Sequence, residues 1–156
     1  MNQKTYFIKR YLEETRPTGL LPPLDKPFHR AQVRQFVEII NSGIQPLQNA
    51  PIVASISKGD ATKHQEWIHS VIHKGLRSLE EIASANNSHD LLFDWASQPT
   101  LAEVFLVPQV ENAKRYEVNV AENYPRLNRV VNHLLSKYEA FSKTRPPSMG
   151  VLKSKV

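Results

Sequence analysis

The sequence contains no cysteine among its 156 residues, so no disulfide bond can hold the fold together. A chain of this length forms one domain of ordinary size and buries a core without disulfide or metal crosslinks. The absence of cysteine also fits a reducing compartment. We therefore expect a cytoplasmic protein.

The sequence also lacks any apolar run of about 18 residues, which excludes a membrane-spanning helix. At the N-terminus, the stretch MNQKTYFIKRYLEE carries basic residues within its apolar pattern. It therefore has no uninterrupted apolar segment of the kind that a secretory signal peptide requires.

Acidic residues are missing from the end of the chain. The net charge is +5, but four of the basic residues lie between 143 and 156, where there is no acidic residue. The rest of the chain is close to neutral and shows no basic stripe interleaved with aromatic side chains, so we expect no specific nucleic-acid partner. Because residues 143–156 are rich in Pro, Ser and Lys, they are expected to form a flexible basic tail.

Residues 100 to 116, TLAEVFLVPQVENAKRY, predict a helix at the centre of the domain. Thr100 and Glu103 have the spacing of a capping box, in which the hydroxyl and the carboxylate each bond the other residue's backbone amide. Apolar residues then follow on nearly every side of the helix, which is typical of a buried helix. Pro108 predicts a kink or local break. Beyond it the residues turn polar: Gln109, Glu111, Asn112, Lys114 and Arg115.

Apolar periodicity predicts four further helices, at about 4–15, 28–49, 61–85 and 125–138. The fold class is therefore predicted to be all-α, a helical bundle around a buried central helix at about residues 100–115. In the helix at 28–49, Gly43 and Pro46 are expected to bend the last turns. The residues predicted to face inward there are Ala31, Val33, Phe36, Val37, Ile40 and Ile44.

Irregular segments are predicted between these helices. Residues 16–27 contain four prolines and one glycine and predict a linker, which Leu20, Leu21 and Leu24 would hold against a surface. Residues 51–61 predict a second irregular segment, and residues 116–125 predict a connection. A short turn through Ala140 and Phe141 is expected to dock back onto the domain.

His69 and His73, four residues apart in the helix at 61–85, are a candidate metal pair. The sequence HSVIH lacks the glutamate of HExxH, and no third ligand is evident, whereas catalytic zinc sites use three protein ligands. Paired histidines are also common on solvated helix faces. We therefore predict no metal site.

The capping box that opens a buried helix, followed by LVPQVENAKRY, resembles the C-terminal helical domain of zeta-class glutathione transferases, whose members include maleylacetoacetate isomerases. Three further local motifs occur in the family's order: YLEETRP at 11–17, RAQVR at 30–34 and GIQPLQN at 43–49. The resemblance extends from residue 8 to about residue 145.

The resemblance implies a domain organisation. Residues 1–15 would be the last helix of a thioredoxin-like domain whose remainder is missing, 16–27 the linker, 28–142 the helical domain and 143–156 the basic tail. In a homodimer of the family's kind, the helix at 28–49 lies at the subunit contact. The implied partner is therefore a second copy of the chain or a thioredoxin-like domain.

The resemblance also implies glutathione as the cofactor and a small acidic substrate. In the family, a Ser-Ser-Cys motif of the thioredoxin-like domain stabilises the glutathione thiolate, which adds to the substrate double bond. This sequence contains no such motif, and the family's Gln-Ser pair that clamps glutathione aligns with Lys4 and Thr5. No catalytic residue is therefore assigned, and whether the chain is an enzyme by itself stays open.

The positions that match the family's binding residues are Gln48, Arg115 and residues 52–54. By resemblance, Gln48 reaches glutathione, and Arg115 holds a substrate carboxylate, a role that suits a planar guanidinium. Ile52, Val53 and Ala54 would flank the substrate. Each position also has a structural interpretation: Gln48 as a polar helix end, Arg115 as a solvated cation that favours the helix dipole, and residues 52–54 as ordinary packing.

The resemblance implies two possible functions of different class. The first is a glutathione-dependent cis–trans isomerase of tyrosine and phenylalanine catabolism, of which this chain is the substrate-pocket half. The second is a non-catalytic helical module that dimerises or docks on other proteins. An upstream segment with a thioredoxin-like pattern and Ser-Ser-Cys would favour the first.

Overall fold

A computed structural model describes residues 8, 11–16, 18–88 and 90–144, and within these ranges it contains helices and turns but no strand. The α-helices are α1 (Pro27–Glu38), α2 (Ala50–Ser57), α3 (Ala61–Ser84), α4 (Leu101–Arg115), α5 (Val120–Asn123), α6 (Pro125–Lys137) and α7 (Glu139–Lys143). A π-helix at Ile39–Ile44 continues α1, and residues 11–15 are also helical. The all-α prediction is confirmed. None of the described helices has the length and apolar character needed to span a membrane.

The central helix is α4, as the sequence predicts. It contacts α1, the π-helix, α5 and α6. The predicted capping box is present: the Thr100 amide donates to the Glu103 carboxylate at 2.8 Å, and the Thr100 hydroxyl accepts from the Ala102 amide at 3.2 Å. The helix continues across Pro108 without a break. Nine of its residues are buried: Leu101, Ala102, Glu103, Phe105, Leu106, Val107, Gln109, Val110 and Ala113.

The Glu103 carboxylate also anchors the loop that precedes α4. Its second oxygen accepts the Leu92 amide at 2.9 Å, and Leu92 is fully buried. Burial raises the pKa of the Glu103 carboxyl, and hydrogen bonds from Thr100 and Leu92 oppose this shift. A carboxyl group that satisfies three donors in the core ties the loop to the central helix, because each donor would otherwise be buried without a partner.

The π-helix packs against α3 at a glycine. A Cβ atom at Gly75 would lie 2.2 Å from Cγ1 of Ile44, whose side chain is fully buried. The absence of a side chain at this position therefore permits the close approach of the two helices.

The linker is held by a carboxylate from the preceding helix. Glu13 accepts the amides of Thr18, Gly19 and Leu21, the last two at 3.0 and 3.2 Å, and it also accepts the Thr18 hydroxyl. Burial raises the pKa of Glu13, but these hydrogen bonds outweigh it and leave the pKa below its usual value. Leu21 is buried and Leu20 is half-buried, as the linker prediction requires, whereas Leu24 is 83% exposed.

Helix boundaries were predicted well where caps and periodicity were clear, and other predictions were wrong. Predicted helices at 61–85 and 125–138 match α3 and α6 to within one residue. The segment at 51–61, predicted to be irregular, contains most of α2, which has Pro51 in its first turn. The single helix predicted at 28–49 is α1, the π-helix and a turn, and Ala31, predicted to face inward, is exposed.

One smaller prediction was wrong: the connection at 116–125 contains the four-residue helix α5. The turn predicted through Ala140 and Phe141 is the short helix α7, which contacts α6, and Phe141 packs against the core, so the predicted docking is confirmed. Half of the predicted helix at 4–15, including Lys4 and Thr5, and residues 145–156 of the predicted tail lie outside the described residues.

Candidate functional site

The π-helix and the turn after it place Gln48. In the π-helical pattern, the Gln45 amide donates to the carbonyl of Ile40, five residues earlier, at 2.9 Å. The Gln48 amide then donates to the Ile44 carbonyl at 3.1 Å. From α3, the indole N–H of Trp67 donates to the Leu47 carbonyl at 2.9 Å. The backbone that carries Gln48 is therefore held from two elements.

The Gln48 side chain meets a buried glutamine of the central helix. Its Nε2 lies 3.4 Å from Oε1 of Gln109, and the Gln109 Nε2 lies 3.4 Å from the Gln48 Oε1. Gln48 is half-buried, whereas Gln109 is only 1% exposed. Gln48 is thus paired with Gln109, which belongs to the polar stretch after Pro108 and to which the sequence assigns no role.

Helical spacing could have identified Gln109 as an inward-facing residue. It lies four residues after Phe105 and four before Ala113, and both of these residues are fully buried. Residues four apart share a helix face, so Gln109 belongs to the inner stripe of α4. A polar residue on such a stripe is a signal of a specific partner, because an unpaired buried amide is costly.

Residues 52–54 lie on α2, which starts two residues after Gln48. Val53 is fully buried, Ile52 is 38% exposed and Ala54 is exposed. The three residues therefore do not share one environment: Val53 packs in the core, and its two neighbours face outward. Only Ile52 and Ala54 are accessible for contact with a small molecule in the described structure.

Arg115 is the last residue of α4 and is half-buried. Its Nε atom is buried and has no hydrogen-bond partner within the described part of the chain. The neighbouring cation differs, because Lys114 Nζ pairs with the Glu111 carboxylate at 3.0 Å.

Gln48 and Arg115 occupy different levels of the domain. Arg115 lies six residues after Gln109 on α4, which places the two Cα atoms about 9 Å apart along the helix axis. Within the described ranges, hydrogen bonds connect Gln48 with Gln109, but none connects Gln48 with Arg115. The Gln48 side chain thus contacts Gln109 in the middle of the central helix. Arg115 lies at the C-terminal end of the same helix.

A cleft of about 980 Å³ lies elsewhere, between the linker, the start of α1 and the loop before α4. It contains none of the predicted site residues. His29 and Trp95 are stacked in its wall, with ring centroids 4.4 Å apart. Its ionisable lining residues are Glu13, Glu14, Lys26, His29, Arg30 and Arg34.

Of the candidate metal pair, His69 and His73, the second contacts Tyr124. His73 Nδ1 lies 2.6 Å from the Tyr124 hydroxyl, and the rings of His69 and His73 are 6.0 Å apart. Burial, followed by the charges of His69 and Arg77, lowers the pKa of His73. Within the residues that the structure describes, no three His, Cys, Asp or Glu side chains are grouped so that they could hold a metal ion.

The chain is similar to known proteins over most of its length. No protein-family model matches it. It is 39% identical over 139 residues to "Probable maleylacetoacetate isomerase 1" of Drosophila melanogaster, a match that covers 89% of this chain and 53% of that protein. The chain therefore spans about half the length of this curated relative.

Solved structures share the fold. A maleylacetoacetate isomerase from Anaeromyxobacter dehalogenans 2CP-1, with glutathione in its active site, superposes with a TM-score of 0.75 and 35% identity, covering 85% of this chain and 59% of that one. A holo maleyl pyruvate isomerase, described as a bacterial zeta-class glutathione transferase, gives a TM-score of 0.78 and 29% identity, covering 96% and 71%. The resemblance noted from the sequence motifs is thus confirmed by sequence and by fold.

Proposed function

This chain is homologous to maleylacetoacetate isomerases, which are zeta-class glutathione transferases, and we propose that it forms the substrate-pocket half of a glutathione-dependent cis–trans isomerase. The observation that carries the proposal is the 39% identity over 139 residues, which includes the turn that bears Gln48 and the helix that bears Arg115. The proposed setting is the cytoplasm and the catabolism of tyrosine and phenylalanine.

The described residues fit the proposed ligands. Arg115 has a buried Nε without a partner, and a carboxylate is the group that a guanidinium binds with two parallel hydrogen bonds. Gln48 is half-buried and retains donor and acceptor capacity beyond its contact with Gln109. Glutathione, when bound, supplies the nucleophilic thiolate for isomerisation of a carbon–carbon double bond.

The proposed roles of this chain's own residues are binding and orientation. Gln48 holds glutathione from the helical side, and Arg115 holds a carboxylate of the acidic substrate. Ile52 and Ala54 contact the substrate from α2, and the buried Val53 holds that helix in place. No residue of the chain is proposed to donate or accept the reacting proton.

The proposed organisation follows the family. Residues 1–15 belong to the end of a thioredoxin-like domain, 16–27 to the linker, 28–142 to the helical domain and 143–156 to a basic tail. The proposed assembly is a homodimer, or a complex with a thioredoxin-like domain that supplies the remaining contacts to glutathione.

Calorimetric titration of glutathione into the purified chain tests the cofactor assignment. Sub-millimolar binding that Gln48→Ala weakens by about tenfold, the size of one lost hydrogen bond to a ligand, would support it. Gln65→Ala, at an exposed position on α3, is the matched control and should bind as the unaltered chain does. Absence of binding, or an equal loss in both variants, would contradict the assignment.

A second candidate function is a docking module without catalysis. Seven large apolar side chains are exposed among the described residues: Ile8, Tyr11, Leu12, Leu24, Phe28, Ile52 and Ile56, with Phe28 71% and Leu24 83% accessible. Ile8, Tyr11 and Leu12 follow helical spacing, and exposed apolar groups that form a contiguous patch mark interaction surfaces. No glutathione binding, together with self-association in sedimentation that Phe28→Ser abolishes, would favour this function over the first.

A further inference from the structure

Gln109 is a polar group placed in the core of the domain. It is 1% exposed, and its neighbours on the inner stripe of α4, Phe105 and Ala113, are fully buried. Leaving a buried amide without partners costs about 1–3 kcal/mol for each unsatisfied group. An apolar residue would pack at this position without that cost. The Gln109 amide therefore depends on a hydrogen-bonding partner.

The partner is the carboxamide of Gln48, and the contact is reciprocal. Each side chain places its Nε2 3.4 Å from the other's Oε1, so the two carboxamides face each other. A carboxamide has two N–H donors and an oxygen that accepts twice. The pair uses one donor and one acceptor position of each group, which leaves Gln48 with one N–H and one lone pair for another molecule.

The environment fixes which way these remaining groups face. The backbone of Gln48 is held by its amide bond to the Ile44 carbonyl and by the Trp67 indole on the adjacent Leu47. These backbone contacts do not hold the end of the Gln48 side chain, which has several rotatable bonds. The contact with Gln109 holds it. The conformational entropy lost when a glutamine side chain is ordered costs up to about 2 kcal/mol. Because Gln48 is already ordered in the folded chain, this cost does not reduce the affinity for a ligand.

We propose that Gln109 is a positioning residue that orients the Gln48 carboxamide so that the N–H which Gln109 does not use donates to an oxygen of the bound ligand. Glutathione carries peptide carbonyl and carboxylate oxygens, so the proposal rests on the proposed function and specifies which chemical group of the cofactor Gln48 contacts.

A double-mutant cycle tests the coupling. Gln109→Met removes the amide and keeps a flexible side chain of similar volume, and it should weaken glutathione binding by about tenfold. In the Gln48→Ala background the same substitution should change the affinity by less than about twofold, because the side chain that it positions is gone. An equally large effect in both backgrounds would overturn the proposal, since it would indicate a general structural role.

A measurement on the unliganded chain separates this proposal from the proposed function. In ¹⁵N spectra, the two side-chain N–H protons of Gln48 should be well separated in shift and exchange at different rates, because one bonds to Gln109. In Gln109→Glu, a second variant that accepts but cannot donate, the Gln48 pair should stay ordered, whereas in Gln109→Met it should collapse to the values of a solvated glutamine. A Gln48 pair that already has solvated values in the unaltered chain would overturn the positioning role, whatever the glutathione titration shows.

Discussion

Gly75 and Ile44 are in such close contact that a Cβ atom at residue 75 would lie 2.2 Å from the Ile44 Cγ1. Ile44 is fully buried and cannot swing aside into solvent. We expect Gly75→Ala to lower the free energy of unfolding, because overpacking costs about 1–3 kcal/mol. The higher helix propensity of alanine offsets about 1 kcal/mol of this cost. Urea unfolding followed by circular dichroism measures the net change.

Gly43 provides the matched control for this prediction. An added Cβ at Gly43 would meet nothing within 4 Å. Gly43→Ala should therefore leave the stability unchanged or raise it by up to about 1 kcal/mol. Equal stability losses in the two variants would contradict the interpretation that Gly75 is needed for close packing of α3 on the π-helix.

Glu103 bonds both the N-cap residue of α4 and the preceding loop. Its replacement should therefore lower the free energy of unfolding by more than the loss of an N-cap alone. Glu103→Gln keeps the shape but offers only one oxygen to donors from Thr100 and Leu92. The expected loss is at least about 2 kcal/mol, because a buried donor is left unpaired. Glu81→Gln, at an exposed position on α3, should change stability by no more than about 0.5 kcal/mol. A loss from Glu103→Gln as small as that of this control would refute the anchoring role.

Glu80, on α3, caps the N-terminus of α6. Its carboxylate accepts the amides of Arg126 and Leu127 at 2.8 and 2.9 Å, while Tyr124, which precedes α6, makes no side-chain cap. Glu80→Ala should lower the free energy of unfolding by about 1–2 kcal/mol, as loss of an N-cap does. Amide exchange in the first turn of α6 should accelerate in this variant but not in Glu66→Ala, where the exposed residue lies on the same helix, α3. Unchanged exchange at residues 126 and 127 would count against the capping role.

His73 predicts a pH dependence of stability. The groups that act on it are Tyr124, His69 and Arg77, and burial is the largest cause of its lowered pKa. Because the folded-state pKa lies below the unfolded value of about 6.5, the unfolded chain binds more protons below that pH. The contribution of His73 is therefore fully present above about pH 6.5 and is lost as the pH falls towards the folded-state pKa.

Unfolding free energies at several pH values between 8 and 5 check this sign. The slope of stability against pH should be smaller in His73→Gln than in the unaltered chain, because the titrating group has been removed. A slope of the same size in both proteins would show that other groups cause the pH dependence.

The central helix and the long helices could be predicted because their signals are local. Thr100 and Glu103 are three residues apart, and the apolar positions of α3 and α6 follow the helical period. The helix α2 was missed because its sequence, with Pro51, Ser55 and β-branched residues, has weak helix propensity. Burial of Val53 and packing against α3 compensate for this in the folded domain.

The surroundings of the candidate site could not be predicted, for a similar reason. Motifs assign Gln48 and Arg115, whose binding roles stay predictions, but their surroundings depend on contacts between residues distant in sequence. Gln48 and Gln109 are 61 positions apart, and no periodicity links them. The π-helix adds one residue to a turn of the helix before Gln48, and that local change has no clear sequence signature.

Mapping of bound glutathione by ¹H–¹⁵N spectra, followed by addition of maleate as the smallest cis-dicarboxylate, tests the central claim most directly. The account predicts that glutathione shifts the Gln48 side-chain resonance and the amides of residues 52–54, and that maleate then shifts the guanidinium N–H of Arg115. The maleate response should be absent in Arg115→Ala and retained in Lys114→Ala, in which the neighbouring, paired cation is removed. No shifts, or shifts confined to the cleft around His29 and Trp95, would contradict the claim that the helical half of a glutathione-dependent isomerase site lies at Gln48 and Arg115.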